Sequence, residues 1–191
     1  MTASVVSLAN RAIQILGSTG TIESVTQDHP NARTMNRVLE PRRRALLRKG
    51  RWGFAITRAS VAADGSKTLY NSLNRFALPN DYIRLLLDGD VPSLRKDWKI
   101  EGRFIVTADA SPLEFRYIAD ILDPSQWDAL FFEYLAHDMA HETAKEVTGN
   151  DNLKESIKKD MKDIMADARK YGAFEEEPAK EDNDDWLDAM R

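Results

Sequence analysis

Cysteine is absent from the chain. Disulfides, thiol nucleophiles and thiolate metal sites are therefore excluded. Histidine is scarce: His29, His137 and His141 are the whole supply. No apolar run approaches the roughly 20 residues needed to span a bilayer, so no membrane partner is expected. The sequence holds no GxSxG, P-loop or GxGxxG pattern, which removes the common signatures of serine hydrolases and nucleotide binders. The opening stretch, MTASVVSLANRAIQILG, lacks a basic leader region and is punctuated by polar residues, so folding on the cytosolic side is expected.

What is present is ordinary in bulk and uneven in detail. Apolar residues make up 42% and charged residues 30%, enough for a soluble domain with a core of its own over 191 residues. The net charge of -4 is unevenly placed. Residues 175–191 carry eight acids against Lys180 and Arg191, which leaves the remainder slightly basic. Beyond Pro178 this acidic stretch carries Trp186, Leu187 and Met190, large apolar side chains that a solvated segment cannot bury alone. A short capped turn from Asp184 or Asp185 would present Trp186 and Met190 on one side, as helix-in-groove ligands do. These three residues are the candidate partner-binding anchor.

Periodicity divides the chain. Val5, Leu8, Ala9, Ala12, Ile13 and Leu16 recur at helical spacing after a possible Ser4 cap, and Gly17 ends them. A second helix is predicted from Pro30, capped by Asp28 or His29, with Met35, Val38, Leu39, Leu46 and Leu47 inward. Pro41 lies inside it, so a kink or break is expected there. From Trp52 to about Ile121 the pattern shortens to strand-like runs separated by turn signals. Ile100-Glu101-Gly102-Arg103 reads as a tight hairpin connection. Asp123-Pro124 is the expected cap of a third helix ending at Gly149, and Asn150 or Asp151 the start of a fourth ending near Gly172. The predicted class is α+β: a bundle of about four helices with a small antiparallel β subdomain inserted between the second and third. Its parts are residues 1–51 and 122–172 for the bundle, the latter a helical hairpin, 52–121 for the β subdomain and 173–191 for the acidic tail.

Two motifs bear on chemistry. RRRALLRKGR brings together Arg42, Arg43, Arg44 and Arg48. It reads either as a nucleic-acid patch or as a basic helical face, solvated or paired with acids of a neighbouring subunit. The near-neutral body favours the basic face. HDMAH places His137 and His141 four apart, so both imidazoles project from one helical face. Zinc proteases of that spacing carry a glutamate base after the first histidine. Asp138 stands there instead, and no third ligand is evident. A zinc-dependent hydrolase, a muralytic one included, is the alternative function; two structural histidines are the plainer expectation.

Five phrases occur in a recognisable order: NRAIQILG, LEPRRRALLRKGRWGFA, FALPNDYIRLL, WKIEGRFIVTADASPLEFRYI and DPSQWDALFFEYLAHDMAHETAKEVTGN. Over about residues 4–172 this order resembles the head-to-tail adaptors of tailed bacteriophages, the tail tubular protein A or tail accessory factor family. The resemblance implies a structural virion protein with no catalytic residue, cofactor or metal. It implies self-association into a ring, typically dodecameric, beneath the portal protein, assembled in the host cytoplasm. Such a ring extends the DNA ejection channel, passes double-stranded DNA without reading its sequence, and seats the tail or nozzle protein. It also implies a helical domain with a β part. The acidic tail is then expected to dock on the portal or on a neighbouring adaptor.

Overall fold

The computed structural model of the chain describes residues 3–68, 72–86, 98–149 and 152–175. Four helices and two antiparallel sheets make an α+β fold. Helices α1 (Val5–Ile15) and α2 (Pro30–Lys49) precede the strands, and α3 (Ala129–Thr148) and α4 (Asn152–Phe174) follow them.

The helix starts follow local chemistry. Ser4 and Ser7 form a capping box on α1. His29 caps α2: its Nδ1 accepts from the Asn31 N–H, and Pro30 occupies the first turn. Asp28, the other candidate, pairs with Arg33 instead. Of the kink or break expected at Pro41, the break is not there: α2 runs unbroken through it. Pro41 sits on an exposed face, where the carbonyl it leaves unbonded can be solvated. Asp123-Pro124 caps only a 3-10 turn, Pro124–Gln126. The cap of α3 is Asp128, whose Oδ1 accepts from the Leu130 and Phe131 N–H groups. Gly149 ends α3 in the left-handed region, as expected. Asn150 and Asp151, the expected start of α4, lie outside the described residues, and α4 runs past Gly172.

The β region is two sheets. One has the order β1 (Ile56–Val61), β7 (Leu113–Ala119), β4 (Tyr82–Leu86). The other has the order β2 (Ala63–Lys67), β3 (Asn74–Ala77), β6 (Phe104–Thr107), β5 (Trp98–Glu101). The β5–β6 hairpin turns at Gly102-Arg103, with Gly102 at φ 60°. A positive φ at the first central position is what a two-residue hairpin loop asks for.

The three-stranded sheet is the middle layer. Ile83 and Leu86 of β4, Ile118 of β7 and Ile56 of β1 join the helical core of Leu8, Met35, Leu47, Phe131, Leu135 and Met139. Leu85, Leu113, Phe115 and Tyr117 face the other way, onto Phe76 and Ile105 of the four-stranded sheet. Strands buried on both faces need apolar residues at successive positions, which is how Ile83, Leu85 and Leu86 read. Trp52 is buried in the helical core and Phe54 is half-buried beside it; both rings meet Phe131 edge-on at 5.0 Å. Among the described residues no helix is long and apolar enough to cross a membrane.

Candidate functional site

The basic helix carries several polar contacts to its neighbours. Helical spacing sends its arginines to different neighbours. Arg42 points at α3, where Nε donates to Asp138 Oδ2 at 2.7 Å and Nη2 completes a bidentate pair. Glu142, one turn further on α3, lies 3.4 Å from Arg42 Nη1. Arg43 turns towards the end of β7 and meets Asp120 at 2.9 Å, with both side chains about nine-tenths buried. Arg44 lies 3.6 Å from the other Asp120 oxygen and 3.9 Å from Glu40. Arg48 donates to the Ile83 carbonyl of β4 at 2.8 Å.

Each of these four arginines thus has its partner within the chain. Arg44 and Arg48 remain exposed, so of the four they are the ones open to acids of a neighbouring subunit. Helical direction alone did not reveal that Asp120 and Asp138 would be brought against the basic face. Bidentate guanidinium–carboxylate geometry is strong and orienting, so the helix is fixed in rotation as well as position. A bound arginine has less of its charge to offer to a phosphate, which also weakens the nucleic-acid version of this motif.

Two further contacts belong to the same joint. Arg37 and Thr34 both engage Glu146 near the end of α3, Thr34 Oγ1 at 2.8 Å. The Thr34 hydrogen bond, followed by Arg37, holds the Glu146 carboxyl below the ordinary carboxylate range. On the opposite side, Arg84 of β4 donates from Nη2 to the Gly50 carbonyl just past α2, at 2.9 Å. A bulge sets its aim. Ile83 and Arg84 together oppose the single residue Ile118, so both face the helices. Gly50 is required here by close approach: a Cβ on it would lie 2.1 Å from Trp52 Nε1. That indole folds back to donate to the Leu46 carbonyl at 3.1 Å.

The histidine pair lies on α3. His137 is buried, with Nδ1 2.7 Å from the Glu133 carbonyl oxygen and 3.9 Å from Glu133 Oε2. His141 is half-buried one turn on. Asp138, the residue placed where a metalloprotease has its base, is committed to Arg42. Among the described residues no group of three histidine, aspartate or glutamate side chains is arranged to hold a metal ion. Trp186, Leu187 and Met190 lie outside the described residues.

Sequence reasoning passed over Asn10, Asp120 and Arg84. Asn10 exchanges two 2.8 Å hydrogen bonds with the backbone of Ile22, which pins the first connection and buries Ile22. An amide side chain matches a peptide group donor for acceptor, but its partner is 12 residues away and carries no local mark. No protein-family model matches the chain, and comparison with curated proteins gives no significant match.

Proposed function

We propose that the chain is a structural subunit of a phage neck: a head-to-tail adaptor that forms a ring beneath the portal. One observation carries this reading. The phrases that resemble the adaptor family fall on the joints of the fold. LEPRRRALLRKGRWGFA meets the α3 phrase through Arg42–Asp138 and through Trp52 on Phe131. FALPNDYIRLL meets the hairpin phrase through Arg103, whose Nη2 donates to the Pro79 carbonyl at 2.6 Å, and through Leu78 N–H donating to the Arg103 carbonyl at 2.8 Å. It also meets the β7 part of that same phrase through Tyr117, whose hydroxyl donates to Asp81 at 3.0 Å.

Residues that hold a shape are what a ring subunit needs from a shared pattern. A subunit with a helical layer and two sheets presents different faces on its two sides, as a heterologous ring contact requires. The near-neutral body also suits a DNA conduit, since each phosphate bound in passage would add counterion-release free energy and retard the strand. In this reading the partners are the portal, a tail or nozzle protein, further copies of the chain and transiting double-stranded DNA. The subunit itself performs no chemistry and takes no cofactor. Its place is the virion neck.

The test is negative-stain microscopy of the purified protein mixed with the portal ring encoded by the same genome. A ring of added density on one face of the portal is the expected result. An undecorated portal at saturating protein contradicts the proposal. Replacing His137 and His141 together by Gln leaves this assembly intact; stoichiometric zinc with hydrolysis lost on His141→Ala would instead point to the hydrolase.

A further inference from the structure

The last turns of α4 border a groove whose other walls are the C-terminal end of α2, strand β4 and Tyr134 of α3. It encloses about 610 Å3. Lys49, Arg51, Arg84 and Arg169 bring four cations to it, and no acid among the described residues lines it. Trp52 and Met165 supply apolar floor between them. Arg84 is tied to Gly50 through Nη2, while its Nε is buried and has no hydrogen-bond partner. The Lys49 and Arg169 side chains are exposed and form no ion pair with a described residue. Such a concavity fits an acidic chain segment bearing apolar anchors, because it offers opposite charge at the rim and area to bury beneath.

The sequence carries such a segment immediately beyond α4. Residues 176–191 hold seven acids, Trp186, Leu187 and Met190. The described chain leaves α4 beside this groove: Glu175 lines the adjoining pocket, and its Oε2 would lie 3.7 Å from a Cβ on Gly53. Returning from Gly172 to the level of Met165 means retracing about 10 Å of helix. The eleven residues from Glu176 to Trp186 span up to about 36 Å when extended, so reach does not limit the return.

We propose that segment 176–191 of the same chain is the ligand of this groove, with Trp186 on the apolar floor and the acids against the four cations. The proposal does not depend on the adaptor reading. A tethered ligand meets its groove at an effective concentration on the order of mM. Any docking of the segment on another subunit therefore begins by releasing it from its own.

The test uses the full-length chain labelled with 5-fluorotryptophan and read by fluorine NMR. Trp186→Phe assigns the Trp186 resonance, and a synthetic peptide of residues 176–191 gives the solvent-exposed reference. The expected result is a Trp186 resonance shifted from the peptide's, with a several-fold smaller H2O/D2O isotope shift that is unchanged on dilution. Lys49→Glu combined with Arg169→Glu returns both to the peptide values, while the Trp98 and Trp127 resonances stay in place and report an intact fold. Three outcomes overturn the proposal: peptide-like values in the unmodified chain, protection that is lost on dilution and so belongs to a second copy, or protection that survives the charge reversal.

Discussion

Asp120 gathers two cations at the point where β7 ends. Arg43 lies 2.9 Å from one oxygen and Arg44 3.6 Å from the other, and Arg43 is almost fully out of water. A buried pair of this kind contributes little against an apolar substitute, yet breaking it strands a charge. Asp120→Ala is expected to cost about 3–5 kcal/mol in urea denaturation. Arg43→Met combined with Asp120→Leu should recover most of that loss; simple additivity of the two single variants would show that the pair is not coupled. Tyr117 makes a second residue-scale case. Its buried phenol is pushed up to about 12, first by desolvation and then by the hydrogen bond to Asp81. In the unfolded chain a tyrosine ionises near pH 10. The folded state therefore holds the proton longer, and the stabilisation is full below about pH 10 and lost as pH rises towards about 12. Tyr117→Phe should flatten this part of the alkaline stability profile relative to the unmodified protein. An identical pH dependence for both would rule out the assigned burial.

At the scale of elements, α2 ties the helical layer to the middle sheet. It is pinned to α3 through Arg42 and Glu146 and to the middle sheet through Arg43, Arg48 and the Arg84–Gly50 contact. The Trp52 ring locks its C-terminal end onto Phe131. Trp52→Ala is expected to cost about 3–5 kcal/mol, as truncation of a buried aromatic does; a change of a few tenths would show an exposed ring. Pro41 costs this helix a backbone hydrogen bond without breaking it. Because proline in a helix interior is about 3 kcal/mol worse than alanine, part of it offset in the unfolded chain, Pro41→Ala should raise stability by about 2 kcal/mol. A destabilised variant would mean that the proline shapes a contact the helix needs.

The same elements show how far the sequence could be read. Helical periods, the Ser4 cap, the Gly149 stop and the Gly102 turn are local properties, and each was legible. The Asp123-Pro124 and Trp127-Asp128 stretches offer rival caps only five residues apart, and tertiary packing of Trp127 on Phe131 decides between them. The division into two sheets was not legible, because β1 pairs with β7 across an intervening hairpin set and strand patterns do not name their partners. For the same reason the arginine face was visible while Asp120 and Asp138, which satisfy it, were not.

As a whole, the molecule stacks a helical layer, a sheet shared by two cores and an outer sheet. The Arg43–Asp120 pair and the Arg48 hydrogen bond to the Ile83 carbonyl tie the helical layer to the middle sheet. The proposed adaptor role adds a condition on assembly. With a near-neutral body and an acidic segment to be released, free protein is expected to stay monomeric or weakly associated and to close into a ring only on its portal. Light scattering of the full-length protein, alone and with the portal ring encoded by the same genome, tests this most directly. Monomer mass is expected for the protein alone and, with the portal, a complex heavier than the portal by a full ring of subunits, typically twelve. A stable closed ring of the free protein contradicts assembly on the portal, and a portal whose mass does not change contradicts the adaptor function itself.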